Sequence, residues 1–263
     1  MFSTPKLKIF LAILLLTFSM SALAEDSAFP LRNKYTNVQT ISTTELNSRF
    51  DAVLVVDVRS KLEYSVIHMK DALHIPVTRR DFEKKIAALA EQRPIVFYCN
   101  GITCSKSYTA ADRMLASGYT NVLTYDAGIF AWVKAVPEKS YLLNETPVNP
   151  DKIISSADFE DKNISYMEFK EAAQLKGAYI VDIRENYQRL ENKSTKLGLK
   201  NVKVHKLPTD KFLSVVLKPG RLKDRQLLIV DAVGKQIRWL QYYLEQFGYT
   251  NYQFLSGGIK AID

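Results

Sequence analysis

Cys99 closes the apolar run Pro94-Ile95-Val96-Phe97-Tyr98 and opens the loop Cys99-Asn100-Gly101-Ile102-Thr103-Cys104-Ser105-Lys106-Ser107. Helical spacing follows at once, with Ala110, Ala111, Met114 and Leu115 on one face. A thiol between a strand end and a helix start is placed for nucleophilic chemistry. The unpaired N–H groups of the first helical turn and the positive end of the helix dipole stabilise a thiolate. The same N–H groups bind an anionic substrate. Asn100, Gly101, Ile102, Thr103, Cys104, Ser105 and Lys106 would form the wall of that anion site. Asn100 and Gly101 suit it because both tolerate unusual backbone angles.

Each of these residues also has a plainer role. Cys99 could be an inert buried thiol. Cys104 reads as a loop filler, a disulfide partner of Cys99 or a resolving thiol. Lys106 is either solvated or an anion contact. Asp57 and Arg59 fall just past a strand, where an ion pair with each other or with Glu63 is the expected arrangement; Arg59 could still help hold an anion. Ser107 is a candidate supporting residue at the helix start. His68, His74 and His205 lack metal-ligand spacing and cysteine partners, so neither a metal site nor a cofactor is expected.

The elements that must position these residues occur twice. Ile41-Ser42-Thr43-Thr44-Glu45-Leu46 is echoed by Ile164-Ser165-Tyr166-Met167-Glu168-Phe169, and Val55-Val56-Asp57-Val58-Arg59 by Ile180-Val181-Asp182-Ile183-Arg184. Ile95-Val96-Phe97-Tyr98-Cys99 matches Leu227-Leu228-Ile229-Val230-Asp231, and Gly118-Tyr119-Thr120-Asn121 returns unchanged at Gly248-Tyr249-Thr250-Asn251. Such a repeat implies two copies of one unit. Strands are expected at 52–58, 94–98, 121–125, 178–183 and 226–230, and helices at 81–91, 107–117 and 236–247. Their alternation predicts an α/β fold: in each copy, a mostly parallel sheet with helices on both faces. Ligands of such sheets sit outside the C-terminal strand ends, where Cys99 falls. The expected division is 34–141 and 163–263, joined by a linker at 142–162 that holds Pro147 and Pro150.

Residues 1–24 read as an export signal: Lys6 and Lys8, an apolar stretch from Ile9 to Phe18, then Ala22-Leu23-Ala24 as the cleavage site. The apolar stretch falls short of the ~20 residues a bilayer span needs, so no stable membrane anchor is expected after cleavage. The expected location is the periplasm or another exported compartment. The net charge is +8, and loss of Lys6 and Lys8 leaves +6. The basic residues are dispersed, which argues for a solvated surface and against nucleic-acid binding. Two cysteines in one loop would staple little chain, so a purely stabilising bridge explains them poorly.

Several blocks resemble the rhodanese family in a tandem arrangement. Asp57-Val58-Arg59, Glu63-Tyr64, His68-Met69, Ala72 and Ile75-Pro76 are similar to its N-terminal signature. Tyr98-Cys99 with a Gly-containing loop, Ser107 and Ala110-Ala111 resembles its catalytic segment, and Gly118 to Val122 with Gly128 and Trp132 its C-terminal signature. The resemblance implies a sulfurtransferase that moves a sulfane sulfur from thiosulfate or a similar donor to a thiophilic acceptor through a Cys99 persulfide. Its partners would be a small anionic sulfur donor and a thiol or other thiophile. The loop departs from the pattern: it is about two residues longer, has Lys106 where an arginine is usual, and adds Cys104. Asp231 stands at the cysteine position of the second copy, which implies an inactive second domain.

Two other classes fit the same residues. One is a thiol–disulfide or persulfide redox protein using Cys99 and Cys104 together; the other is a sulfur-carrying module without turnover. A phosphatase-like anion site is disfavoured because the loop has no arginine to grip a tetrahedral anion in bidentate fashion.

Overall fold

The structure is a computed structural model, and it describes residues 28–89, 93–191, 197–199 and 201–262. The expected signal at 1–24 lies outside the described residues. The chain divides into two units between Pro150 and Asp151.

The first unit contains α1 (Thr43–Ser48), β1 (Leu54–Asp57), α2 (Lys61–Val66), β2 (Ile67–Met69), β3 (Leu73–His74), α3 (Phe82–Ala87) and β4 (Ile95–Tyr98). It continues with α4 (Lys106–Ala116), β5 (Val122–Tyr125), α5 (Gly128–Ala135) and β6 (Ser140–Leu142). Its main sheet is parallel, in the order β3-β1-β4-β5, with Val56 beside Phe97 and Phe97 beside Thr124. A single parallel bridge, Thr40 to Thr124, extends it past β5. β1 and β4 are buried along their whole length, as unbroken β-branched and aromatic runs require when helices cover both faces. One face packs Leu54, Val56, Ile95 and Phe97 against Phe82 and Ile86 of α3 and Ala110, Ala111 and Met114 of α4. The period of two sends Val55, Val96 and Tyr98 to the opposite face. On the β5 side, Tyr125 meets the edge of Trp132 of α5.

The second unit contains α6 (Ser156–Glu160), β7 (Asn163–Ile164), α7 (Tyr166–Ala172), β8 (Tyr179–Asp182), α8 (Asn186–Glu191) and β9 (Val204–Lys206). After these come α9 (Thr209–Phe212), β10 (Leu227–Val230), α10 (Gln236–Gln246) and β11 (Tyr252–Leu255). All its strands are parallel, in the order β7-β11-β10-β8-β9. With the Thr40 bridge counted as the counterpart of β7, this is the strand order of the first unit. The sequence repeat is therefore a repeat of topology. Its helix starts repeat as well: Ser42 accepts from the Glu45 N–H at α1, and Ser165 with Glu168 forms a capping box at α7.

Two expectations gain detail. The stretch 142–162, expected to join the two units, holds the boundary between them and is also packed. Leu142 is the last residue of β6, which pairs antiparallel with β2, and Val148 is buried in the first unit. Ile154 and Phe159 are buried in the second, and the Ile154 N–H donates to the Tyr242 hydroxyl. Apolar residues spaced among the prolines anchor each half to its own unit. The helices also begin and end within a residue or two of expectation except α3, which runs from Phe82 to Ala87; positions 90 and 91 of the expected helix lie outside the described residues.

Candidate active site

β4 delivers Cys99 to the C-terminal edge of the first sheet, directly before the loop 100–105 and the start of the 11-residue α4. Cys99 is 1% exposed. It is joined to Cys104 by a disulfide, with 6.3 Å between the two Cα atoms. Of the three roles open to Cys104, the structure shows disulfide partner. Ile102, Thr103 and Ser105 are exposed at the loop rim, and Gly101 and Cys104 are half-buried. Ser107 is buried in the first turn of α4, and its carbonyl accepts from the Thr124 hydroxyl at 3.2 Å.

The expectation for Gly101 and Asn100 is corrected by the backbone: neither adopts a positive φ. The constraint falls on Gly128, at the start of α5. Its φ is +76°, and a Cβ there would stand 2.3 Å from the Gly101 nitrogen. The loop lies against the α5 backbone because position 128 has no side chain. The Ile129 N–H donates to the Cys99 carbonyl at 2.9 Å, fixing the strand end to the same helix.

Asp57 and Arg59 form the ion pair expected, with each other. The guanidinium meets the carboxylate through Nε and Nη2, at 3.0 and 2.6 Å, and the Arg59 N–H also donates to Asp57. Arg59 is fully buried. Burial alone would lower its pKa, but the Asp57 charge and hydrogen bonds raise it above the ordinary value. Its remaining donors go to the Ile67 carbonyl at 2.6 Å and the Asn100 side-chain oxygen at 3.0 Å. Arg59 thus acts on the loop through Asn100.

Glu63 is the residue that sequence reasoning underrated. It belongs to the capping box of α2 with Ser60, and its carboxylate accepts from the Ser60 N–H and hydroxyl at 2.9 and 2.7 Å. The same carboxylate accepts from Asn100 Nδ2 at 2.6 Å and from Lys106 Nζ at 3.2 Å. It therefore ties both ends of the Cys99 loop to one helix start. Burial would raise its pKa; Lys106, the Ser60 hydroxyl, Arg59 and Asn100 outweigh burial and hold it at about 2. The Ser60-x-x-Glu63 spacing announces the cap, but nothing in the sequence shows that Glu63 also reaches residues 100 and 106.

His68 and His74 pack as rings: both stack on Tyr64, at 4.1 and 4.7 Å between centroids.

In the second unit the corresponding loop is two residues shorter, from Asp231 to the start of α10 at Gln236. Asp231 is 1% exposed, and its carboxylate accepts from the N–H groups of Gly234 and Gln236 at 2.6 and 2.7 Å. The turned-in amides thus hold a negative group at this strand end. Burial raises the Asp231 pKa, with those N–H groups pulling the other way. The Ile259 N–H meets the Asp231 carbonyl at 2.9 Å, matching Ile129 and Cys99.

Residues 42–135 match the family described as Rhodanese-like domain. These residues carry a rhodanese-like domain. The match takes in α1 through α5, with Cys99 and the whole of its loop. A sulfurtransferase of Allochromatium vinosum is 29% identical over 100 residues, covering 37% of this chain and 90% of that protein. A tRNA uridine(34) hydroxylase of Erwinia tasmaniensis is 34% identical over 106 residues, which is 38% of this chain and 29% of that one. An uncharacterized protein of Synechocystis is 31% identical over 85 residues, 32% of this chain and 45% of its own length. The chain thus spans less than half the length of these last two relatives. Among solved structures, a thiosulfate sulfurtransferase from Pseudomonas aeruginosa aligns over 84% of this chain and 41% of its own, at 17% identity and a TM-score of 0.36. The matched residues lie within the first unit.

Proposed function

We propose that this protein is an exported, periplasmic sulfurtransferase whose nucleophile is Cys99. The observation that carries the reading is the position of Cys99: a cysteine at the end of a central strand, under a loop that leads into an eleven-residue helix, in a rhodanese-like domain. The carboxylate held by loop amides at Asp231 supports the view that such a loop accepts an anion.

A dithiol first reduces the Cys99–Cys104 bond, giving two electrons and two protons. The Cys99 thiolate then attacks the outer sulfur of a donor such as thiosulfate. A bond forms between the two sulfurs, the donor S–S bond breaks, and sulfite departs with the electron pair. A thiophilic acceptor takes the sulfane sulfur and restores the thiolate. The second unit takes no part in the covalent steps, because a carboxylate stands where a thiol is needed.

The test is mass spectrometry on reduced protein mixed with thiosulfate. The Cys99 peptide gains one sulfur atom, cyanide removes it as thiocyanate, and Cys99→Ser abolishes both. A reduced, folded protein that gains no sulfur from thiosulfate or from an organic persulfide refutes the reading.

The disulfide favours a second reading. Cys104 attacks Cys99 Sγ in the persulfide, sulfide leaves, and the disulfide forms again; a dithiol must then be oxidised in each turnover. Under this reading Cys104→Ser stops sulfide release and the Cys99 persulfide accumulates. Under simple transfer the same variant turns over without a dithiol.

A further inference from the structure

The ionic side chains at the C-terminal edge of the first sheet cancel in pairs. Asp57 holds Arg59 at 2.6 Å, Glu63 holds Lys106 at 3.2 Å, and Asp126, just past β5, holds Arg32 at 2.9 Å. Arg59 is further committed to the Ile67 carbonyl and to Asn100. The loop residues from Gly101 to Ser105 add no cation, and the rim they form carries Ile102, which is 42% exposed. Lys106, the cation that the loop itself supplies, is therefore neutralised by a carboxylate that is 6% exposed and held ionised by four donors. With these three pairs formed, the loop is left with main-chain N–H groups to meet a charge. A donor that brings two further negative charges meets the Cys99 thiolate with Arg32, Arg59 and Lys106 already paired to carboxylates.

We infer that Glu63 sets the donor class of this site: the sulfur donor is an organic persulfide, R–S–S–H, with an uncharged organic group and at most one negative charge, in preference to the thiosulfate dianion. The inference rests on the sulfur-transfer reading above. In the step, Cys99 thiolate attacks the outer sulfur of R–S–S–H. A new S–S bond forms at Cys99 and the donor S–S bond breaks. The pair leaves on R–S⁻, which takes the proton from the transferred sulfur. The exposed Ile102 offers the organic group an apolar contact that sulfite cannot use. Glu63 is a positioning and charge-setting residue here, since it acts through Lys106 and Asn100.

The experiment compares two donors, 2-hydroxyethyl persulfide and thiosulfate, on reduced protein, reading the rate at which Cys99 gains sulfur per molar donor. The wild type takes sulfur at least tenfold faster from the persulfide. Glu63→Gln releases Lys106 and narrows that ratio about tenfold, with folding checked by circular dichroism. Thr103→Arg adds a cation at an exposed rim position, leaves the Glu63 contacts in place, and narrows the ratio in the same direction. A purely structural role for Glu63 would slow both donors alike and leave the ratio where it was. Thiosulfate equal to or faster than the persulfide in the wild type overturns the inference alone. So does a ratio that neither variant moves. Sulfur on Cys99 from neither donor overturns the inference and the sulfur-transfer reading together.

Discussion

At Asp57, removal of one negative charge would strand a guanidinium with no access to water. Arg59 is fully buried, and four of its hydrogen bonds go to that single carboxylate. Breaking a buried pair from one side costs about 3–5 kcal/mol, because the remaining charge keeps its desolvation penalty. Asp57→Asn should therefore lose stability on that scale, read as a lowered urea midpoint for the first unit. Glu63 makes a pH-dependent contribution whose sign is fixed by its depressed pKa. Its folded value of about 2 lies below its ordinary 4.5. The stabilisation is therefore fully present above pH 4.5 and is lost as pH falls through 2. The gap corresponds to about 3 kcal/mol. In denaturation experiments at pH 7 and pH 2.5, the difference between wild type and Glu63→Gln should shrink sharply at the lower pH. A constant difference would show that the carboxylate charge is not what stabilises the loop. Neither role was fully legible in the sequence. Asp57 and Arg59 sit two residues apart and could be paired by inspection. Glu63 meets residues 37 and 43 positions away, contacts made only by the parallel crossover that lays β1 beside β4.

At the scale of elements, the loop depends on how closely two backbones approach. Gly118 and Gly128 both have positive φ, +87° and +76°, yet a Cβ at 118 meets nothing within 4 Å while one at 128 would strike Gly101. Gly118 follows the C-cap of α4, a position that asks only for backbone freedom. Gly118→Ala should then cost about 1–2 kcal/mol, the penalty of the left-handed conformation alone. Gly128→Ala adds a clash between two main chains that no rotamer relieves. It should cost about 3 kcal/mol or more and displace the Cys99 loop. Thermal unfolding of the two variants side by side checks the contrast; equal losses would mean that the loop moves aside freely. The central strands and the helices α4 and α10 were readable because long apolar runs and 3.6-residue spacing leave a strong pattern. The β2–β6 pair was not, since three-residue strands are too short to show a period of two. The packing within 142–162 was not readable because prolines signal turns whether or not the residues between them are buried.

For the whole molecule, the repeat makes each unit a control for the other. Asp182 and Arg184 reproduce the Asp57–Arg59 pair, at 3.0 and 2.9 Å. The position that follows the strand-end residue differs: Asn100 in the first unit, Ala232 in the second. Asn100 accepts from Arg59 Nη1. Its counterpart Ala232 has no side-chain oxygen, and the matching atom, Arg184 Nη1, is buried without a hydrogen-bond partner among the described residues. The orphaned donor stands where the first unit has the Asn100 side-chain oxygen. Restoring it should stabilise. Ala232 is half-buried, so there is room for a larger side chain. A buried donor that regains an acceptor contributes about 1–2 kcal/mol. Ala232→Asn should raise the stability of the second unit by that amount, and Asn100→Ala should lower that of the first by at least as much, because it strands donors and acceptors on both Arg59 and Glu63. Differential scanning calorimetry on the two variants reads both effects. If Ala232→Asn leaves the unfolding temperature unchanged or lowers it, Arg184 is not aimed at the loop as Arg59 is, and the correspondence between the two strand ends stops at the backbone.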